Sequence, residues 1–335
     1  MQVHADVAEQ YADFAAYADG DSPCFAAWAR GAAEDREVLA WLADLPVPKR
    51  QPNLVFAAAR WHGLAAPAPY AALRDALLGD DGTVAETVRA RSTQTNEVGR
   101  VATLLPALGL VAAATPGPLA LVEVGASAGL CLYPDRVRVR WQPTADGVDV
   151  GEPVELGAEG PRLDCRVAGT PPYPASAPRL AWRGGIDLNP LDVTDDDAMA
   201  WLATLVWPEQ EDRRVRLAEA VAVARADPPV LVRGDLLAEL PALVAMARAH
   251  GRVVVQHSAV AAYLTAEERE AFVSMMTDLV ADGACHWLSN EGKDVLPTLT
   301  ATGPAVPADL ATFVLALDGR AVAWTHGHGR SMTWL

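Results

Sequence analysis

Residues 119–130 read Leu-Ala-Leu-Val-Glu-Val-Gly-Ala-Ser-Ala-Gly-Leu: an apolar run broken by Glu123, then Gly125, Ser127 and Gly129 at alternate positions. Such a stretch predicts a buried strand ending in a tight turn that opens a helix. Small residues there let backbone N–H groups and a helix N-terminus come close to a ligand. Two chemistries use this shape. One is a nucleoside-cofactor loop related to Glu-x-Gly-x-Gly-x-Gly; the other is the Gly-x-Ser-x-Gly nucleophile elbow, with Ser127 as nucleophile.

What precedes and follows the loop decides which chemistry suits it. Residues 1–117 carry no strand signal. Val3, Val7, Tyr11, Phe14 and Tyr17 recur at helical spacing, Asp21-Ser22-Pro23 is a helix start, and Pro46 and Pro48 stop a helix around Val38–Leu42. Further helices are expected near 53–62, 70–78, 83–91 and 96–113, and Thr115-Pro116-Gly117-Pro118 closes this all-helical lobe. From 118 onward strands and helices alternate. Strands are read at 180–187, 229–233, 252–256 and 284–289, and Thr265 with Glu268 makes a capping box for a helix over 266–281. A closing β-hairpin turns on Asp318-Gly319. The short β-like pieces of 136–179 read as a small antiparallel insertion. The expectation is an α/β domain over 118–335 with a mostly parallel sheet, its ligands beyond the carboxyl ends of the strands.

Composition narrows the partners. The 335 residues are 51% hydrophobic and 21% charged, enough for a substantial core, and the net charge of −16 argues against a nucleic-acid partner. Cys24, Cys131, Cys165 and Cys285 show no C-x-x-C spacing and read as buried thiols of a reducing compartment. With no signal-like segment and no 18-residue apolar run, the expectation is a soluble cytoplasmic protein without a membrane partner.

A nucleophile elbow should follow a central strand, with acid and histidine later in the chain. Here the loop follows the first strand, and the only recruits are Asp294 with His326 or His328, close to the C-terminus. A first-strand loop suits a nucleoside cofactor better. Asp187, in Gly-Ile-Asp-Leu-Asn-Pro, sits at the second strand tip to meet ribose hydroxyls, the insertion explaining most of its excess over the usual spacing of about 20 residues. Asp235, in Arg-Gly-Asp, sits at the third, where it would accept from an adenine amino group.

These stretches together resemble class I S-adenosylmethionine-dependent methyltransferases over about 118–335. The resemblance implies a Rossmann-like methyltransferase-type sheet with a terminal antiparallel hairpin. It also implies that Glu123, Gly125, Ser127 and Gly129 hold the methionine end of S-adenosylmethionine, Asp187 its ribose and Asp235 its adenine. Ser127 stands where glycine is usual; either its Cβ crowds the loop or its hydroxyl binds the cofactor carboxylate. The whole chain is also similar to an actinobacterial family catalogued as domain of unknown function 2332. That likeness runs through Thr93–Arg100, the loop at 123–130, Asp187–Asp192, Trp207–Gln210, His257-Ser258 and His328–Arg330.

Other polar residues extend the candidate site. Asn96 reads either as a helix N-cap or, with Gln94 and Arg100, as a substrate holder, Arg100 clamping a carboxylate. His257, at the fourth strand end, would take a proton from an acceptor near neutrality, with Tyr263 and Glu291 bordering the same cleft. His326 and His328 lack a carboxylate at ligand spacing, so no metal site is expected. Trp207-Pro208 reads as core or as a lid. The function expected is methyl transfer to a small molecule. The competitors are a serine hydrolase acting through Ser127 and a non-catalytic nucleoside- or protein-binding relative.

Overall fold

The structure, a computed structural model, describes residues 7–94 and 96–335; Val3 and Thr95 of the sequence reading lie outside the described residues. Its helices are α1 (Val7–Ala18), α2 (Pro23–Glu34), α3 (Arg36–Ala43), α4 (Pro52–Trp61), α5 (Tyr70–Leu78), α6 (Thr83–Ala90), α7 (Val101–Ala114), α8 (Asp196–Leu205), α9 (Glu211–Ala226), α10 (Leu236–Ala247), α11 (Ala266–Ala281) and α12 (Pro297–Thr300). Its strands are β1 (Leu119–Val124), β2 (Arg138–Ala145), β3 (Val148–Asp149), β4 (Val154–Leu156), β5 (Arg162–Ala168), β6 (Leu180–Asp187), β7 (Val230–Arg233), β8 (Arg252–Ser258), β9 (His286–Gly292), β10 (Phe313–Leu317), β11 (Arg320–Thr325) and β12 (Ser331–Trp334). The chain divides into two compact units, one of Met1–Thr95 with Asp195–Val215, the other of Asn96–Thr194 with Arg216–Leu335. No described helix is long and apolar enough to cross a membrane.

Among the described residues the first unit is helical. Ser22 caps α2 by accepting from the Phe25 N–H, with Pro23 in the first turn, where its missing N–H costs nothing. Trp207 is core rather than lid: it is buried, meets Phe14, Tyr17 and Phe25 ring to ring, and donates Nε1–H to Asn53 Oδ1 at 2.8 Å.

The second unit holds an open mixed sheet ordered β3-β2-β5-β12-β11-β10-β9-β8-β1-β6-β7, with β4 also paired to β2. β7, β6, β1, β8 and β9 run parallel, and β10 and β11 follow as an antiparallel hairpin. Asp318 and Gly319 sit at φ +50° and +81°, as a two-residue turn matched to strand twist requires. Thr265 and Glu268 form the expected capping box of α11.

The insertion differs from the antiparallel piece that its alternation suggests. β2 and β5 are parallel neighbours, β4 is antiparallel to β2, and β5 joins the main sheet through parallel pairing with β12. Alternation reports one buried face, here Val139 and Trp141 on β2 and Leu163, Cys165 and Val167 on β5; it carries no information on strand direction.

Connections from β1 lead to β6 and β7 on one side, and the chain then returns to β8 and β9 on the other. The order therefore reverses between β1 and β8, the place where open α/β sheets bind ligands. Paired residues of parallel strands share a face. Val122 and Val124 align with Val255 and His257, and Trp287 aligns with Val255, all over the apolar core shared with Leu240, Val244, Phe272 and Met276. Glu123 and Gln256 align on the opposite face.

Candidate functional site

The loop after β1 turns as the sequence predicts but does not open a helix. Gly125, Ser127 and Gly129 have φ of +68°, +52° and +70°. A Cβ on Gly125 would meet Val260 Cγ2 at 2.3 Å, and one on Gly129 would meet Pro229 Cγ at 2.8 Å, so neighbouring side chains also demand glycine. Only a 3₁₀ turn follows, Leu130–Leu132. Pro134 disfavours helical backbone at Tyr133, and the Leu130 N–H, an orphan at a helix start, is taken by Asn96 Oδ1 at 2.8 Å. Asn96 is thus a loop anchor; the cap of its own turn is Glu97, which accepts from the Gly99 N–H.

Around this loop a polar group gathers on one face of the sheet. Glu123 is buried, and burial pushes its carboxyl up to about 8; nearby Arg100 opposes the rise, Asp187 adds to it, and the Cys131 thiol counters it by hydrogen bonding. Glu123 is therefore protonated at neutral pH. Burial and the Glu123 carboxyl also hold the Cys131 thiol far above its ordinary range. Gln256 donates Nε2–H to the Cys131 carbonyl at 3.1 Å. Glu123 Oε2, Gln256 Oε1 and Ser127 Oγ are buried without hydrogen-bond partners. Asp187 reaches back to the loop, accepting from the Ser127 N–H at 2.8 Å and the Asn189 N–H at 2.7 Å. Arg100 meets main chain rather than a carboxylate: it donates Nε–H to the Gly327 carbonyl at 2.8 Å and Nη1–H to the Ser258 carbonyl at 2.9 Å.

His257 and Glu291 come together, but on the other face. His257 Nδ1 lies 2.7 Å from Glu291 Oε1, which also accepts from the Val260 and Ala261 N–H groups at 2.9 and 3.2 Å. That carboxylate leaves a neutral imidazole its proton on Nδ1 and its lone pair on Nε2. The ring packs against Phe272 and Trp287 and is 1% exposed; the pair fastens the turn after β8 beneath the surface, while His257 Nε2 and Glu291 Oε2 are buried without partners.

A family model described as "Uncharacterized protein conserved in bacteria (DUF2332)" matches residues 8–334. The chain belongs to that family. No curated protein and no solved structure matches it.

The remaining expected residues spread further. Asp235 shares the carboxyl edge with Asp187, whose carbonyl accepts the Gly234 N–H at 3.1 Å, and its carboxylate caps α10 through the Leu237 and Ala238 N–H groups. Tyr263 is 84% exposed, and Gln94 belongs to the first unit. His326 and His328 contact each other ring to ring, and Ser127 Oγ is bonded to no imidazole.

Sequence reading missed Gln256 and Cys131 as members of the Glu123 group. Gln256 had a signal: it ends the run Val253-Val254-Val255 as Glu123 interrupts Leu119–Val122, and period two sets it on the face opposite His257. Also missed was a chain of polar contacts behind the β8 tip, Thr325 Oγ1 to Asn290 Oδ1 at 2.7 Å and Asn290 Nδ2 to Ser258 Oγ at 2.9 Å.

Proposed function

We propose that the chain binds S-adenosylmethionine at the carboxyl edge of β1, β6 and β8 and transfers its methyl group to a small molecule. One observation carries the reading: where the strand order reverses, Glu123 and Gln256 stand side by side in register, each with a buried oxygen that lacks a partner. Buried polar atoms are normally paired, so two adjacent orphans mark a place for a ligand that donates hydrogen bonds.

The residues fit such a cofactor in their chemistry. Glu123 and Gln256 would take the ammonium of its methionine end beside the Ser127 hydroxyl. Asp187, which holds the loop through the Ser127 and Asn189 N–H groups, would meet the ribose hydroxyls; Asp235 lies at the next strand tip, where it would meet adenine. The bound group would supply an electrophilic methyl carbon. The protein's share is to align the acceptor and exclude water. Arg100 uses two N–H groups on carbonyls and retains others to orient an acceptor carboxylate.

The test is calorimetric titration of the full chain with S-adenosylmethionine and S-adenosylhomocysteine, repeated on Asp187→Ala. The expected result is saturable binding by the wild type that Asp187→Ala weakens at least about tenfold, the loss of one good hydrogen-bonding pair. Absence of heat from the wild type at ligand near the top of the usual micromolar-to-millimolar range would overturn the reading.

A further inference from the structure

We infer that Ser127, Glu123 and Gln256 form a subsite selective for a cationic, hydrogen-bond-donating group, with the Ser127 hydroxyl turned to the ligand. The loop binds the Ser127 backbone completely: its N–H goes to Asp187 and its carbonyl accepts the Leu191 N–H at 3.0 Å. The φ of +52° lies in the left-handed region that glycine adopts without penalty and in which Gly125 and Gly129 also lie. A serine therefore brings this turn nothing but its hydroxyl, and that hydroxyl is buried and unpartnered.

The other two atoms set the sign of the ligand. Gln256 commits its amide nitrogen to the Cys131 carbonyl, which leaves Oε1, an acceptor, as the orphan. Glu123 Oε2 is the second. Three unpartnered buried atoms that can all accept call for a donor-rich group, and an alkylammonium supplies three N–H bonds. The charged and titratable groups around Glu123 are Asp187, Arg100 and Cys131. Arg100 is the cation of this set, and it donates to the main-chain carbonyls of Gly327 and Ser258. An ammonium arriving here would also lower the pKa of Glu123, so that its proton leaves to solvent and the neutral acid becomes the counter-ion.

This subsite rests on the proposed cleft but not on the identity of the cofactor, and the experiment separates the two. Ser127→Cys in the full chain is labelled with 2-aminoethyl methanethiosulfonate and with its 2-sulfonatoethyl counterpart. Wild type, whose Cys24, Cys131, Cys165 and Cys285 are all buried, serves as background. The expected result is labelling at least about tenfold faster by the cationic reagent, the low end of electrostatic focusing in a charged cleft. Equal rates, faster labelling by the anion, or no labelling above wild type would overturn the subsite. Should Ser127→Cys not fold, wild type is melted with ethylammonium chloride and with sodium acetate at equal ionic strength. Stabilisation by the first salt alone supports the subsite, and equal responses overturn it. Protection of Cys at 127 by S-adenosylhomocysteine places the cofactor in the same subsite. Cation-selective labelling that S-adenosylhomocysteine does not slow leaves the subsite standing and removes the methyl-transfer reading.

Discussion

Glu123 and Glu291 are both buried carboxyls near the carboxyl edge of the same sheet, yet they are built in opposite ways. Glu291 is surrounded by donors: the imidazole of His257 and two backbone N–H groups converge on one of its oxygens. Glu123 has burial, a neighbouring Asp187, the nearby Arg100, the Cys131 thiol and an orphaned oxygen. Each acid leaves one oxygen, Oε2, buried without a partner; they differ in the other, which in Glu291 takes three donors, whereas Glu123 meets the Cys131 thiol and burial raises its pKa. The two acids thus stand on opposite faces of one sheet edge with different numbers of donors, although the sequence reading placed both in a single cleft.

The sharpest way to break this contrast is to remove each acid. Glu291→Ala strips three buried donors of their acceptor at once, and unpaired buried groups cost about 1–3 kcal/mol apiece. The expected loss of stability is about 3–5 kcal/mol, read from the shift in urea midpoint at unchanged slope. A loss under about 1 kcal/mol would mean that water reaches these donors and that the pair is not sealed.

Glu123→Gln should move stability the other way, and with a pH signature. The folded-state pKa of Glu123, about 8, lies above the ordinary 4.5. Between those values the native state holds a proton that the unfolded state has released, so wild-type stability falls as pH rises from about 5 to about 8. Well below pH 4.5 both states are protonated and the substitution changes little. By pH 8 the neutral amide should be the more stable, by on the order of 4 kcal/mol. Parallel stability–pH curves for wild type and variant would show that Glu123 is solvated and ionised like any surface acid.

What the sequence made legible follows the range of the interaction. The Ser22 cap, the Thr265–Glu268 box and the Asp318-Gly319 turn are each decided within four residues, and each forms as read. The order of elements survives too, because alternating periodicities leave few ways to stack helices on a sheet. Two of the failures involve partners far along the chain. Asn96 anchors the loop by taking the Leu130 N–H, where the sequence offered it as a cap of its own helix, and β12 recruits β5 into the main sheet from more than half the second unit away. His257 was expected just after the fourth strand with Glu291 bordering the same cleft; the structure places them within β8 and β9, in contact with each other. Gln256, one residue before His257 and on the other face, is the one that stands with Glu123. Assigning a residue to a strand tip therefore does not assign it to a cleft until the face is known.

Ser127→Gly is the smallest predicted effect and the one that most directly separates shape from chemistry in the loop. At φ +52° a side chain costs about 1–2 kcal/mol relative to glycine, and the freer unfolded glycine returns about 0.5–1 kcal/mol of that. The expected net gain is about 0.5–1 kcal/mol, a rise in Tm of about 1–4 °C by differential scanning fluorimetry. The same variant should bind ligand more weakly, since the hydroxyl is gone. Ser127→Ala, which keeps the strain, should lose affinity without gaining stability. If glycine raised stability and left affinity unchanged, the loop would be a glycine turn with a tolerated serine, and the Glu123 face would have to recognise its ligand without Ser127.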